Sequence, residues 1–244
     1  MNKPVLYTFG CSFTENFKFL FKSSKFQDDR KTYVIDHLNN KIPDSWTELL
    51  SKKLNISLVN KAGASGHQYE NYFEGNCNMS IFNNICHMCD KFKKGDIVII
   101  EWSFIARFKW ATEQGMITIL PNHYRGIDKK LTEEIIINRS HKLWIDELFT
   151  MIKLLNKLSE SIGFDIYYWT IDNSILDNKR EIIINDKRWL VSGQLDNKGY
   201  IDLVCSNNGK SIRTETNDKI KDDHLGITGH NVLADLFYEY IVRK

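Results

Sequence analysis

No stretch of this sequence approaches the ~18 consecutive apolar residues of a membrane-spanning helix, so no transmembrane segment is expected. A surplus of charge is missing too. With 33 basic residues against 31 acidic ones, the net charge of +2 gives no reason to expect a nucleic-acid partner. Short basic runs such as Lys91-Phe92-Lys93-Lys94 read as solvated helix ends. The five cysteines (11, 77, 86, 89 and 205) are an odd set and make no disulfide framework. Met-Asn-Lys-Pro leads straight into an apolar run and leaves no room for a signal peptide. These absences together predict a reduced, cytoplasmic location. Internal repeats and flexible linkers are also lacking, so the 244 residues are read as one domain, 1–244, with a substantial core.

Apolar patterning supplies the elements. Residues 3–9 read as a buried strand, and 15–43 as a long irregular loop carrying Phe17, Phe19, Phe21, Phe26 and Tyr33. A helix with Asp44 as N-cap places Trp46, Leu49, Leu50 and Leu54 on one face. Ile56–Asn60 is a short strand, ending in the turn Ala62-Gly63-Ala64-Ser65-Gly66. A helical stretch runs on to about Phe92, and Ile97–Trp102 is the clearest strand of the chain. An insertion over 106–138 precedes a long helix from His141 to Ile162, stopped by Gly163. Phe164–Trp169 is a fourth strand, and 170–221 carries short β-like runs at 181–184 and 189–191. The closing helix shows Val232, Leu233, Leu236, Phe237, Tyr240 and Ile241 at helical spacing. Alternating strands and helices with long connections predict an α/β fold of three layers, α/β/α, with a mostly parallel central sheet and insertions near 15–43, 106–138 and 170–221. Ligands of such sheets bind at the carboxyl ends of the strands.

Two segments that would meet at those ends carry chemistry. Phe9-Gly10-Cys11-Ser12-Phe13-Thr14 follows the first strand, with small residues before Ser12 and Thr14 able to cap a following helix. The arrangement suits an exposed hydroxyl nucleophile whose backbone N–H faces a developing oxyanion. Cys11 is the rival nucleophile, but neighbouring residues point in different directions. Asp222-Asp223-His224-Leu225-Gly226, before the closing helix, offers a histidine beside a carboxylate, the group needed to deprotonate a serine. Asp222 shares a face with His224 in an extended segment and Asp223 points away, which favours Asp222 over Asp223. His230 reads as a helix-start residue.

In order and spacing these segments resemble the SGNH (GDSL-like) serine hydrolases, so the resemblance implies their flavodoxin-like fold with Ser12, His224 and Asp222 as catalytic triad. It also implies an ester hydrolase acting through an acyl-serine, with an O-acetylated carbohydrate as favoured substrate class and no metal or organic cofactor. The first block of the family usually reads Gly-Asp-Ser; here Cys11 stands in the Asp place. Asn60 to Gly66 is similar to the second block, whose glycine N–H joins the oxyanion hole. Gly66 fits the spacing somewhat better, with Gly63 the alternative. The third block departs most. Its usual Asn is missing from Ile100-Glu101-Trp102-Ser103-Phe104-Ile105-Ala106-Arg107, which leaves Ser103 or Arg107 as substitute donors. The Arg107 fork could instead hold a carboxylate or phosphate of the substrate. The alternatives to an esterase are a carbohydrate O-acetyltransferase using the same triad, or a catalytically silent module binding a glycan or protein. The oligomeric state is not specified by the sequence.

Other motifs carry less. The lipase elbow G-x-S-x-G is absent, against an α/β-hydrolase fold. Cys86-His87-Met88-Cys89 lacks a second ligand pair and is expected to pack in a helix–sheet interface without zinc. Gly209-Lys210-Ser211 lacks the earlier glycine of a phosphate-binding loop, because Val204 holds its place.

Overall fold

A computed structural model describes residues 3–21, 29–63, 77–105, 107–112, 115–119, 141–195 and 199–243. The chain is an α/β protein whose central sheet has four strands, β1 (Val5–Gly10), β2 (Ser57–Ala62), β3 (Ile97–Trp102) and β6 (Asp165–Thr170). They lie in the order β2-β1-β3-β6, and every pairing is parallel. From β1 the chain turns first to one side, toward β2, and then to the other, toward β3. The ends of β1 and β3 therefore flank the point where the order reverses, the place where open parallel sheets leave a crevice for ligands.

Both faces of the sheet are covered, and the pleat explains how. In β6, Tyr167 and Trp169 face helices α3 (Trp46–Leu54) and α9 (Ile227–Val242): Trp169 meets Trp46 and Phe237 edge-on, and Tyr167 meets Tyr240. Tyr200 of α7 (Tyr200–Ser206) adds its ring against both Trp169 and Phe237. Tyr168 faces the other way, stacks on Trp102 of β3 and donates its hydroxyl to Asn156 of α5 (His141–Ile162) at 2.8 Å. By the strand register, Glu101 lies on the α3/α9 face beside Trp169 and is wholly buried. A carboxylate inside that layer demands donors, and their source is described below.

Several elements differ from their sequence-based expectations. The helix at 46 starts one residue later than expected: Ser45 is the N-cap, its N–H given to Glu48 at 2.9 Å, while Asp44 pairs with Lys18 and Lys52. Segment 15–43 is not wholly irregular. It includes two short helices, α1 (Phe17–Leu20) and α2 (Asp29–Thr32), and a π-helical turn at Tyr33–His37. Phe17 and Tyr33 are buried there. The strand read at 181–184 is the end of helix α6 (Asn173–Asn185), started by Asp172, whose carboxylate accepts the Ser174 N–H at 2.9 Å. Its isoleucines are β-branched, but only Ile183 of that run is buried, together with Ile175 and Leu176. Trp189 forms no strand, only an isolated parallel bridge to Tyr168. Within 106–138, β4 (Phe108–Thr112) and β5 (Gly115–Ile119) pair antiparallel.

The helix after the second strand is described from Asn78 to His87 (α4), and residues 64–76 lie outside the described residues. Cys86 is exposed and Cys89 half-buried, so the two do not both pack inside. The buried side of α4 runs through Ile81 and Ile85, and Cys86 sits about a hundred degrees further round the helix. Among the described residues no helix is long and apolar enough to cross a membrane.

Candidate active site

Ser12 and His224, 212 residues apart in sequence, are hydrogen-bonded at 2.7 Å between Oγ and Nε2. The other ring nitrogen, Nδ1, lies 2.5 Å from Asp222 Oδ1, and the same oxygen accepts the His224 backbone N–H at 2.9 Å. That second bond fixes the carboxylate relative to the main chain as well as to the ring. Burial alone would raise the Asp222 carboxyl. The hydrogen bonds and charge of His224, with the charge of Arg30, outweigh it and hold Asp222 below the usual carboxylate range. Asp223 is turned outward and pairs with Arg213 at 3.2 Å. The Phe13 ring packs on the imidazole, 4.4 Å between centroids, which restrains its rotation.

The segment bearing the imidazole is stitched to α8 (Ile212–Glu215) by backbone bonds. Ile212 N–H donates to His224 C=O and Arg213 N–H to Asp222 C=O, both at 2.8 Å. After it, Gly226 starts α9 without a side chain, and Glu215 takes the orphan N–H groups of Ile227 and Thr228 instead. His230 is buried at the start of this helix. Its Nδ1 accepts the Trp46 N–H at 3.1 Å, and burial, joined by the charges of His224 and Arg30, pushes its pKa down to about 3. It is a neutral structural imidazole, committed to Trp46 and not to Ser12.

The turn that carries Ser12 is pinned on all sides. Cys11 C=O accepts the Thr14 N–H at 3.1 Å. The next three carbonyls each go to a different part of the chain: Ser12 C=O to Arg30 Nη1 (3.1 Å), Phe13 C=O to Trp46 Nε1 (3.1 Å) and Thr14 C=O to Asn60 Nδ2 (2.8 Å). From below, Glu101 accepts the Cys11 N–H at 3.1 Å, the Cys11 thiol at 2.7 Å and the Thr14 hydroxyl at 2.6 Å. Thr14 is thus spent on Glu101 and caps no helix. Gly10 lets the two strands close on this carboxylate, since a Cβ there would stand 2.6 Å from Glu101 Cβ. Burial pushes the Cys11 thiol up to about 12, and the neighbouring Glu101 pushes the same way. A thiol so placed is neither exposed nor ionised, which removes Cys11 as a nucleophile.

Sequence reading missed Glu101, Arg30 and Glu15. Arg30 Nη1 also reaches Glu15 at 3.2 Å, and both partners are buried. Glu15 in turn packs under Gly63, whose φ of +58° and missing Cβ make room for it. The signal available was a charged residue at the end of an otherwise apolar strand for Glu101. Nothing marked Arg30 within a polar segment.

Of the remaining expected site residues, Gly66 lies outside the described residues. Ser103 is buried after β3, its backbone clamped in both directions by Asn78 at 2.7 and 3.1 Å, its hydroxyl without a partner among the described residues. Arg107 follows it, half-buried, with its guanidinium 5.6 Å from the Phe104 ring centroid. Among the described residues no cluster of three or more His, Cys, Asp or Glu is placed to hold a metal ion.

No known family model matches the chain, and no curated protein sequence matches it.

Proposed function

We propose that this protein is a serine hydrolase of the SGNH type, cleaving an O-acyl ester through an acyl-serine intermediate. The observation that carries the reading is the unbroken chain Ser12 Oγ–His224 Nε2, His224 Nδ1–Asp222 at the end of β1, where the sheet order reverses. The parallel order β2-β1-β3-β6 supports it, being that of flavodoxin-like sheets. The pinned turn supports it as well, because a nucleophile must be held where it reacts.

In this reading His224 Nε2 takes the Ser12 proton as Oγ attacks the ester carbonyl carbon. Asp222, kept ionised, accepts the Nδ1–H and stabilises the imidazolium. The oxyanion meets the Ser12 N–H, with the Gly66 N–H and the Ser103 hydroxyl as the further donors this reading requires. Collapse of the intermediate expels the alcohol, which takes the proton from His224. Water, deprotonated by the same imidazole, then releases the acid. A short acyl group on a carbohydrate is the substrate class favoured, and transfer to a sugar acceptor is the variant using the same groups.

A fluorophosphonate probe tests the reading. Labelling of the wild type, lost in Ser12→Ala and retained in Cys11→Ala, is the expected result. Equal labelling of wild type and Ser12→Ala ends it.

A further inference from the structure

Four buried side-chain polar atoms of the segment 102–107 lack a partner among the described residues: Trp102 Nε1, Ser103 Oγ, Arg107 Nε and Arg107 Nη1. Unmet donors following the end of β3, the strand next to the one that leads into Ser12, call for an acceptor, and the charged one most of all. Arg107 is half-buried as a residue, but these two nitrogens are shut off from water, and covered donors left without an acceptor are costly.

Among the described residues, the surroundings of Arg107 supply no acceptor to those two nitrogens. The buried Glu101 of β3 has its oxygens occupied by Cys11 and Thr14. Backbone hydrogen bonds hold Ser103, Ile105 and Arg107. Asn78 clamps Ser103, Asp172 accepts the Ile105 N–H at 2.7 Å, and the Arg107 N–H closes a turn on Phe104 C=O at 3.0 Å. The Phe104 ring lies 5.6 Å from the guanidinium carbon, within cation–π range. The segment leaves β3, and the Ser12 turn leaves β1, strands that are hydrogen-bonded neighbours, about 4.8 Å apart.

We propose that Arg107 is a specificity residue that holds an anionic group, a carboxylate or phosphate, borne by the ester substrate. The proposal rests on the hydrolase reading for the word substrate, but the anion site stands on its own geometry. A guanidinium presents donors along more than one edge and is matched best by an anion with several oxygens, a carboxylate or phosphate, whereas a developing oxyanion is a single atom that the hydrolase reading assigns to backbone N–H groups.

The test compares three esters: neutral phenyl acetate, 4-acetoxybenzoate with its anion on the alcohol side, and p-nitrophenyl hemisuccinate with its anion on the acyl side. Wild type, Arg107→Met and Arg107→Lys are each measured, and inorganic phosphate is titrated calorimetrically against the same proteins and Ser12→Ala. The expected result is a kcat/KM preference for one anionic ester over phenyl acetate that falls by about tenfold or more in Arg107→Met. Arg107→Lys should be intermediate, and phosphate affinity should fall in Arg107→Met while Ser12→Ala keeps it. An equal loss on all three esters makes Arg107 an oxyanion donor and overturns the proposal. Phosphate binding that is absent, or the same in wild type and Arg107→Met, also overturns it. If no ester is cleaved by any protein, the hydrolase reading fails, while the phosphate titration still decides the anion site.

Discussion

Cys11 gives its thiol to Glu101, Sγ to Oε1 at 2.7 Å, across 90 residues of sequence. The side chain before the nucleophile is thus a donor, and the carboxylate comes from the neighbouring strand. Under the proposed reading, the arrangement inverts the Gly-Asp-Ser order of an SGNH first block. Restoring that order should therefore harm the protein: Cys11→Asp would set a second carboxylate against a buried one. We expect a loss of roughly 3 kcal/mol or more in chemical denaturation, largely relieved by adding Glu101→Gln. A Cys11→Asp protein as stable as wild type would show that Glu101 is not committed to Cys11.

Thiol chemistry gives a simpler reading of the same pair. With its pKa pushed up to about 12 and no exposed surface, Cys11 should resist iodoacetamide in the native state, while the exposed Cys86 and Cys205 react. Peptide mapping after a timed exposure distinguishes the three. Rapid native modification of Cys11 would contradict the geometry.

For the triad, Ser12→Ala and His224→Ala should each lower kcat by about three orders of magnitude or more, with little effect on stability. Asp222→Asn should approach that loss, because an amide at this position can leave Nδ1 with the wrong tautomer. The double variant Ser12→Ala/His224→Ala should be no slower than either single one. Additive losses would mean that the two side chains do not act as a unit.

His230 makes a prediction about acid. Its folded pKa, about 3, lies below the ordinary value of 6.5, so the unfolded chain binds the proton more readily. Stability is then fully present above about pH 6.5 and declines as the pH falls toward 3, by about 1.4 kcal/mol per pH unit in this window. His230→Asn, which can still accept the Trp46 N–H, should flatten that slope. Urea unfolding at pH 7, 6 and 5 measures it, and parallel slopes for both proteins would refute the assignment.

Gly63 should not tolerate a side chain. Its φ is left-handed, and a Cβ at this position would stand 2.5 Å from the Glu15 carboxyl carbon. Gly63→Ala should therefore cost about 1–3 kcal/mol. Because Glu15 leads through Arg30 to the Ser12 carbonyl, kcat should fall as well. An alanine variant with native stability and rate would detach the second turn from the nucleophile.

What the sequence made legible was whatever repeats locally. Helix His141–Ile162 and strand Ile97–Trp102 have periodicities that tertiary context does not override, and both occur where expected. Order along the chain singles out Ser12, Asp222 and His224, each beside an element boundary, and hydrogen bonds join the three side chains. Glu101 was not, because its three donors lie about 90 residues upstream and a lone acidic residue at a strand end looks like a solvated terminus. Arg30 was hidden because nothing sets it apart from the other charged residues of its polar segment, and the run at 181–184 misled because β-branched residues also fit a half-buried helix. Gly66 falls outside the described residues and stays an expectation.

The imidazole arm hangs on main-chain bonds, from Ile212 N–H to His224 C=O and from Arg213 N–H to Asp222 C=O. Amide groups are common to every amino acid but proline, so this scaffold is indifferent to most of the letters written on it. Substitution of the exposed side chains near these two amides leaves both bonds in place and His224 where it stands, whereas proline at 212 or 213 would remove one of the donors.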